Sequence, residues 1–306
     1  MASNFYRCLW LIEQLSPNKA KTFRELDKAW QNSWLNEYKE PLSRSSFNYH
    51  KETIARDFLL DIACEKGTHR YYFSNPQLLN QHPILAHLIH NSALANLLQM
   101  YQGLEDRIIL EPTYSDERWL SLIAEAMQNN RRIEFVYRSF HSGGQLSKRK
   151  ASPYGLRLFM KRWYLIADTG QESPYIYALD RIKDLYLSSE TFKMPEDFSL
   201  NEYFRHCYGI IRSKENSPEE LLLKVYGSQV LYLRSLPLHS SQEEIETHES
   251  YSIFRYWLAP SYDLILALLS LGNTSEVINK GDIFYWLKHD LKHMLNRYEK
   301  QDESID

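Results

Sequence analysis

The sequence predicts a multidomain protein of the α+β class, and three observations support this prediction. At 306 residues the chain is longer than one average domain, which favours two or three modules. Residues 1–75 begin with apolar positions at helical spacing, whereas residues 131–190 are rich in β-branched and aromatic residues between turn-forming ones. After residue 216, strand-like and helix-like patterns alternate. Helical and strand patterns separated in this way indicate domains of different architecture.

The composition predicts a cytoplasmic protein with no membrane partner. Hydrophobic residues make up 43% and charged residues 25% of the chain, as in ordinary globular proteins. No apolar run reaches the ~18 residues of a membrane span, and residues 1–15 are typical of a helix rather than of a signal peptide. Cys8, Cys64 and Cys207 are odd in number and far apart, which favours reduced thiols.

Three helices are predicted before residue 60. The first places four apolar residues on one face: Phe5, Leu9, Ile12 and Leu15. Thr22 and Glu25 have the spacing of a capping box, which begins the second helix. The apolar face of that helix consists of Phe23, Leu26, Ala29 and Trp30. Ser43 caps the third helix, and its inward positions are Phe47, Ile54 and Phe58.

A basic hairpin is predicted after these helices. Two strand-like runs, residues 58–65 and 69–74, are joined by Lys66–Gly67–Thr68. A three-helix unit closed by such a hairpin resembles a winged helix–turn–helix, whose recognition helix enters the major groove by its N-terminal end. The predicted DNA contacts are Arg44, Ser45, Asn48, Tyr49 and Lys51 on the helix and Lys66, His69 and Arg70 on the hairpin. The alternative is a helical dimerisation domain with a solvated charged face, which the nearly neutral charge balance of this region favours.

The next segment predicts helices. Residues 84–104 are apolar on most faces, which favours a helix buried between domains or subunits. The histidines His82, His87 and His90 lack a further ligand, so packed or surface histidines are favoured over a metal site. A second helix is predicted to start at Ser115 and to lead into the strand-rich region.

Positive charge is concentrated in the central region. Its cations are Arg131, Arg132, Arg138, Lys148, Arg149, Lys150, Arg157, Lys161 and Arg162. The whole chain has a net charge of −3, so this cluster is local. Cations interleaved with Tyr and Trp suit a phosphate-bearing ligand, because cations pair with phosphate oxygens while rings stack on bases. Three strand-like runs lie in the same region: IEFVY, LRLFMKRWYLIA and YIYALDRI.

The run SPYGLRLFMKRWYLIAD followed by YALDRI resembles the WYL domain, a small Sm-like β-barrel found mostly in bacterial transcription regulators. Trp163–Tyr164–Leu165 are the namesake residues, and Pro153–Tyr154 and Leu179–Asp180–Arg181–Ile182 are flanking signatures. In such regulators a winged helix–turn–helix usually precedes the barrel. The prediction is therefore a winged helix–turn–helix over residues 1–75, a helical connector over 76–130, the barrel over 131–190, and a linker with a C-terminal domain over 191–306.

The resemblance implies an effector site beside the signature strands. Carried over position by position, it predicts six ligand-binding residues: Ser152, Tyr154, Arg157, Lys161, Arg162 and Arg181. Tyr175 and Ala178 stand where family members often carry Arg, which changes the expected pocket. Arg181 has an alternative role as an ion-pair partner of Asp180 or Asp168.

Two further assignments concern neighbouring residues. The strand alternation at Trp163–Tyr164–Leu165 predicts Trp163 and Leu165 in the barrel core, with Tyr164 on the other side. Lys148–Arg149–Lys150 is interpreted as a solvated loop, with a clamp on nucleic acid as the alternative.

The C-terminal region predicts a domain of opposite charge. Its order of strand, helix, strand, strand, helix, strand and helix resembles the ferredoxin-like α/β extension that commonly follows WYL domains. Tyr208–Gly209–Ile210 matches a short signature of the linker. Acidic residues outnumber basic ones nearly two to one after residue 216, so DNA would be repelled and a basic region of a partner subunit attracted. Subunit assembly and ligand-gated signalling are the expected roles.

The sequence shows no catalytic motif. GxSxG, the P-loop, HExxH and the dinucleotide fingerprint are all missing, so neither an enzyme nor a cofactor is predicted. The leading hypothesis is a ligand-responsive transcription regulator, expected to act as a repressor. It would be a homodimer on a double-stranded operator, with a nucleotide or oligonucleotide as effector. The resemblance suggests phage-defence or DNA-damage genes as targets.

Two hypotheses from other classes remain open. One is a regulatory subunit whose barrel binds single-stranded nucleic acid and modulates a partner nuclease or helicase. The other is a nucleic-acid-processing enzyme with an unrecognised metal or nucleophile.

Overall fold

The computed structural model describes residues 4–15, 19–33, 35–81, 107, 116–212 and 217–302. The chain divides into two compact units, Met1–Glu111 and Pro112–Asp306. The apolar helix predicted over residues 84–104 and the histidines His82, His87 and His90 lie outside the described residues, as does Ser115 itself, although the residues that follow Ser115 are described.

The first unit contains helices followed by a small sheet. Its elements are α1 (Asn4–Leu15), β1 (Lys21–Thr22), α2 (Phe23–Gln31), α3 (Arg44–Phe58), β2 (Ile62–Cys64), β3 (Arg70–Phe73) and α4 (Gln77–Gln81). The three strands form an antiparallel sheet in the order β1-β3-β2. The predicted winged helix–turn–helix is therefore present. Helices α1 to α3 are followed by a hairpin of β2 and β3, and β1 pairs with β3 at the edge of that hairpin.

Local signals account for the helix boundaries in this unit. The hydroxyl of Thr22 accepts from the Glu25 N–H (3.2 Å) and the Glu25 carboxylate accepts from the Thr22 N–H (2.7 Å), so the capping box is confirmed. The Ser43 hydroxyl accepts from the Ser46 N–H (3.1 Å) at the start of α3. Phe47 packs edge-on against Phe23, with ring centroids 5.6 Å apart. This contact joins α3 to α2 across the core.

The second unit begins with a helix and a five-stranded barrel-like sheet. Its elements are α5 (Leu120–Gln128), β4 (Arg131–Ser139), β5 (Gln145–Phe159), β6 (Arg162–Asp168), β7 (Tyr175–Ala178), a 3₁₀ turn (Leu179–Arg181) and β8 (Ile182–Thr191). The strand order is β7-β6-β5-β4-β8, with neighbours antiparallel. The last strand thus lies beside the first, which is the order of the predicted Sm-like barrel.

Three sequence interpretations in this region are corrected. α5 begins at Leu120 rather than near residue 115, because residues 116–119 are not helical and Trp119 takes the N-cap position. The run LRLFMKRWYLIA is two strands, since Met160 and Lys161 adopt positive φ (46° and 60°) and form a tight hairpin turn. The run YIYALDRI is likewise divided by the 3₁₀ turn.

The tripeptide Lys148–Arg149–Lys150 belongs to strand β5 and is not a loop. Its residues pair with Val136, Phe135 and Glu134 of β4. The barrel core confirms the alternation predicted for β6, since Leu165 is fully buried and Trp163 packs against the same core. Tyr164 points to the other side of β6.

The C-terminal part has the predicted ferredoxin-like topology. Its elements are α6 (Leu200–Phe204), β9 (Glu219–Tyr226), α7 (Gln229–Ser235), β10 (Glu243–Thr247), β11 (Tyr251–Leu258), α8 (Tyr262–Ser270), β12 (Ser275–Val277) and α9 (Asp282–Asp302). The antiparallel order is β10-β11-β9-β12. Alternate residues of β9, Leu221, Leu223 and Val225, form one core with apolar residues of α7 and α8. In the part of the chain that the structure describes, no helix is long and apolar enough to cross a bilayer.

Candidate functional site

A groove of about 1290 Å³ opens on the barrel, between strands β4 to β7 and the segment after α6. Its aromatic lining consists of Tyr137, Phe140, Tyr164, Tyr175, Tyr177 and Tyr203. Its cationic lining consists of Lys148, Arg149, Lys150, Arg181 and Arg212. Among the described lining residues, Glu172 alone is acidic. The groove therefore combines flat apolar surfaces with positive charge.

Arg181 lines this groove and carries one unsatisfied donor atom. Its Nε is buried and has no hydrogen-bond partner among the described residues, and its guanidinium lies 3.9 Å from the centroid of the Phe140 ring. The carboxylates expected as alternative partners are engaged elsewhere: Asp180 pairs with Arg162 (3.4 Å), and Asp168 accepts from the Gly170 N–H (2.9 Å). Because buried donors are normally satisfied, Arg181 is suited to an anionic ligand.

The cations of β5 differ in how far they are neutralised. Lys150 contacts the carboxylates of Glu190 and Glu134, and the hydrogen bond to Glu190 raises the pKa of Lys150. Lys148 and Arg149 make no ion pair with a described residue. Their full charges are thus available at the groove.

Five of the six predicted ligand residues do not line the groove. Ser152 is only 2% exposed, and the Tyr154 ring packs against Phe198 with centroids 5.0 Å apart. The Arg157 guanidinium lies 4.0 Å from the centre of the Phe204 ring, where burial lowers the pKa of Arg157. Arg162 pairs with Asp180, and Lys161 lies exposed at the tip of the β5–β6 hairpin. Arg181 alone of the six reaches the groove.

The two positions at which the resemblance led us to expect Arg do line the groove. Tyr175 and Ala178 both line it, and Tyr175 is half exposed. The sequence interpretation missed Tyr177, Phe140 and Arg212. The alternation of residues within the strand-like runs indicates that Tyr137 and Tyr177 lie in strands. Their contact, with ring centroids 4.9 Å apart, could not be predicted from the sequence because it depends on which distant strands pair. At position 175 the groove thus presents a tyrosine ring where the resemblance implied a cation.

The N-terminal end of α3 presents several of the predicted DNA contacts. Ser45 and Asn48 are exposed, and Lys51 is half-buried. Exposed Arg44 stacks on Phe23 (3.7 Å to the ring centroid) and donates to the Tyr71 hydroxyl (3.1 Å). These contacts hold the guanidinium at the helix start.

Two other predicted contacts have defined surroundings. The Tyr49 hydroxyl accepts from the side-chain amide of Asn4 (2.8 Å) and lies at the surface. In the hairpin Lys66 and His69 are exposed. Arg70, in contrast, donates to the Ala20 carbonyl (2.6 Å) and pairs with Glu25 (3.4 Å). Arg70 therefore braces the hairpin against α2.

The fold and these surfaces define a class: a multidomain α+β protein that joins a winged helix–turn–helix to an Sm-like barrel with a basic, aromatic groove. Residues 118–187 match the family model of the WYL domain. The resemblance noted in the sequence is therefore confirmed for this region, which contains a WYL domain.

Two solved structures are similar over most of the chain. One is proteasome accessory factor B/C (PafBC) of Arthrobacter aurescens, at 17% identity and a TM-score of 0.34, covering 93% of this chain. The chain spans 46% of the length of PafBC. The other is described as a CRISPR Cas-related protein, at 12% identity and a TM-score of 0.38, covering 98% of this chain and 88% of the other. No curated protein matches the sequence.

Proposed function

We propose that this protein is a DNA-binding transcription regulator whose barrel groove binds a nucleotide or oligonucleotide effector. The observation that carries the proposal is Arg181, whose buried Nε has no hydrogen-bond partner among the described residues, in a groove of tyrosines and cations. Tyrosine rings stack on bases without selecting among them, and arginine pairs with phosphate through two parallel hydrogen bonds. The volume of about 1290 Å³ exceeds the ~300–1000 Å³ typical of small-molecule pockets and favours an oligonucleotide.

The DNA-reading surface is the exposed start of α3 together with the tip of the hairpin. Asn48 has the side chain that pairs with adenine, and Arg44, Lys51 and Lys66 have the charges that pair with phosphate. A homodimer would place one α3 in each half-site of a palindromic operator. In this proposal the protein is a cytoplasmic repressor without enzymatic activity, effector binding changes the spacing of the two helices, and phage-defence or DNA-damage genes are the targets.

Fluorescence anisotropy on three labelled probes tests the proposal. The probes are the duplex upstream of the protein's own gene, a scrambled duplex and a single strand, each at two salt concentrations. A regulator prefers its own duplex, and this preference survives the higher salt, because base contacts do not release counterions. Equal and salt-sensitive binding to all three probes would contradict sequence-specific regulation.

A second candidate function follows from the same groove. Stacking rings and a basic strand also suit single-stranded nucleic acid, as in a regulatory subunit of a nuclease or helicase. This function predicts preference for the single strand and no effect of substitutions at Arg44 and Lys51. The three-probe experiment separates the two candidates.

A further inference from the structure

The last helix projects beyond the domain that anchors it. In α9 (Asp282–Asp302), Ile283 is buried in the ferredoxin-like core, and Phe284 and Leu287 pack partly against that core. Every residue from 291 to 300 is exposed. About half of the helix therefore has no packing partner among the described residues.

This exposed half is not a polar helix. Four large apolar side chains protrude from it: Leu291 (49% exposed), Met294 (44%), Leu295 (57%) and Tyr298 (65%). Together with the anchored Phe284 and Leu287, the positions 284, 287, 291, 294 and 298 follow alternating steps of three and four residues. This is the a/d spacing of a coiled coil. Because Phe284 and Leu287 pack against their own domain, Leu291, Met294 and Tyr298 are the members of the series left for a second helix.

The charged residues beside these apolar positions indicate which partner helix would be complementary to α9. In this register Asp290 and Arg297 both occupy g positions, and g positions face each other across an antiparallel pair. When Leu291 of one copy lies opposite Met294 of another, Asp290 lies opposite Arg297, and the two-fold axis repeats the pair. A parallel pair would instead place Asp290 opposite the apolar Leu295. The helix is therefore charge-complementary to itself in the antiparallel orientation.

We infer that the exposed half of α9 pairs antiparallel with the same helix of a second copy of this chain. The stripe of Leu291, Met294, Leu295 and Tyr298, here called the α9 stripe, is the surface that is buried. This inference assigns a surface to the homodimer of the proposed function, but it rests on the helix alone and on neither ligand nor DNA. A C₂ pairing of this kind is self-complementary, as closed dimers require.

Light scattering after gel filtration of the full chain, at micromolar concentration, measures the pairing. The wild type is expected to be a dimer, and Leu291→Asp is expected to raise the dimer dissociation constant by at least about tenfold by burying a charge in the seam. The matched control is Lys292→Asp, an exposed b position on the outer face, which should leave the dimer intact. Circular dichroism checks that each variant folds.

Charge reversal tests the orientation. Asp290→Arg alone and Arg297→Asp alone each place like charges opposite each other and should weaken the dimer. The double variant restores opposite charges and should recover it. A dimer that survives Leu291→Asp, or reversals that do not compensate, would overturn the inference.

Two further outcomes separate this inference from the proposed function. A monomeric wild type would overturn the pairing even if the operator is bound. A dimer that responds to these substitutions but ignores its operator would contradict the regulator function and leave the pairing intact.

Discussion

The Asp263 carboxylate accepts hydrogen bonds from the backbone N–H groups of Ile210 and Ile211, at 2.8 and 3.1 Å. Asp263 is the second residue of α8 in the C-terminal domain, whereas Ile210 and Ile211 line the groove of the barrel. Gly209 makes this approach feasible, because its φ is +83° and a Cβ there would lie 2.3 Å from the carboxylate. The C-terminal domain thus fixes one wall of the groove.

Asp263→Ala should therefore loosen that wall. Loss of a charged acceptor for two backbone donors is expected to cost about 1.5–3 kcal/mol of unfolding free energy and to weaken oligonucleotide binding at the groove. Urea denaturation and anisotropy with a labelled oligonucleotide measure the two effects. The control is Asp282→Ala, an exposed carboxylate in the first turn of α9. If D263A binds the labelled oligonucleotide as tightly as the wild type does, the contact of Asp263 with Ile210 and Ile211 stabilises the fold without shaping the ligand site.

Arg181→Ala should weaken oligonucleotide binding by about tenfold or more, because the substitution removes the charge-assisted hydrogen bonds to phosphate. The slope of log affinity against log salt should fall by about 0.7, the value for one neutralised phosphate on a single strand. Lys183→Ala is the matched control, since Lys183 is an exposed cation on β8 that does not line the groove. Equal decreases in affinity in both variants would indicate a general charge effect, and unfolding of R181A would indicate a structural role.

Arg44→Ala combined with Lys51→Ala should weaken duplex binding across sequences and flatten its salt dependence. The slope should change by about 0.9 for each phosphate that is no longer neutralised. Arg56→Ala provides the comparison, because Arg56 lies at the far end of α3 and pairs with Asp57 (2.7 Å). Affinity that stays at the wild-type level in R44A/K51A would remove α3 from the DNA-reading surface.

Glu244 predicts an acid-dependent loss of stability. Two hydrogen bonds from Arg234 (2.9 and 2.6 Å) are the main reason that the pKa of Glu244 falls from 4.5 to about 2. A lowered pKa stabilises the folded state above pH 4.5, and this contribution is lost as the pH falls towards 2. The urea midpoint of the wild type should therefore decrease more between pH 6 and pH 2.5 than that of Glu244→Gln. Parallel decreases in the two proteins would exclude this ion pair as the source.

The fold was largely predictable because its signals are local. The Thr22–Glu25 capping box and the Ser43 cap identify α2 and α3 from a few adjacent residues. The C-terminal order of elements follows from the alternation of β9 and the helical periodicity of α8, each contained in one segment. The three boundaries between the four predicted domains stay a prediction.

The site was less predictable because it depends on strand pairing. Residues 145–150 of β5 are exposed on both faces almost throughout, so no apolar alternation distinguished them from a loop. A register shift between Pro153 and Gly155 then breaks the alternation of faces along β5. Consequently Arg157 turns to Phe204 rather than to the groove. Arg181 was identified only through the family resemblance, since nothing in its local sequence marks an unpaired cation.

Strand β10 has a consequence for solubility. It is the outer strand of the C-terminal sheet, so among the described strands only β11 pairs with it. Such an edge is a template for aggregation unless it carries charge. Glu243, Glu244 and Glu246 supply that charge, although arginines partly neutralise the first two. These carboxylates thus keep copies of this sheet from joining edge to edge along β10.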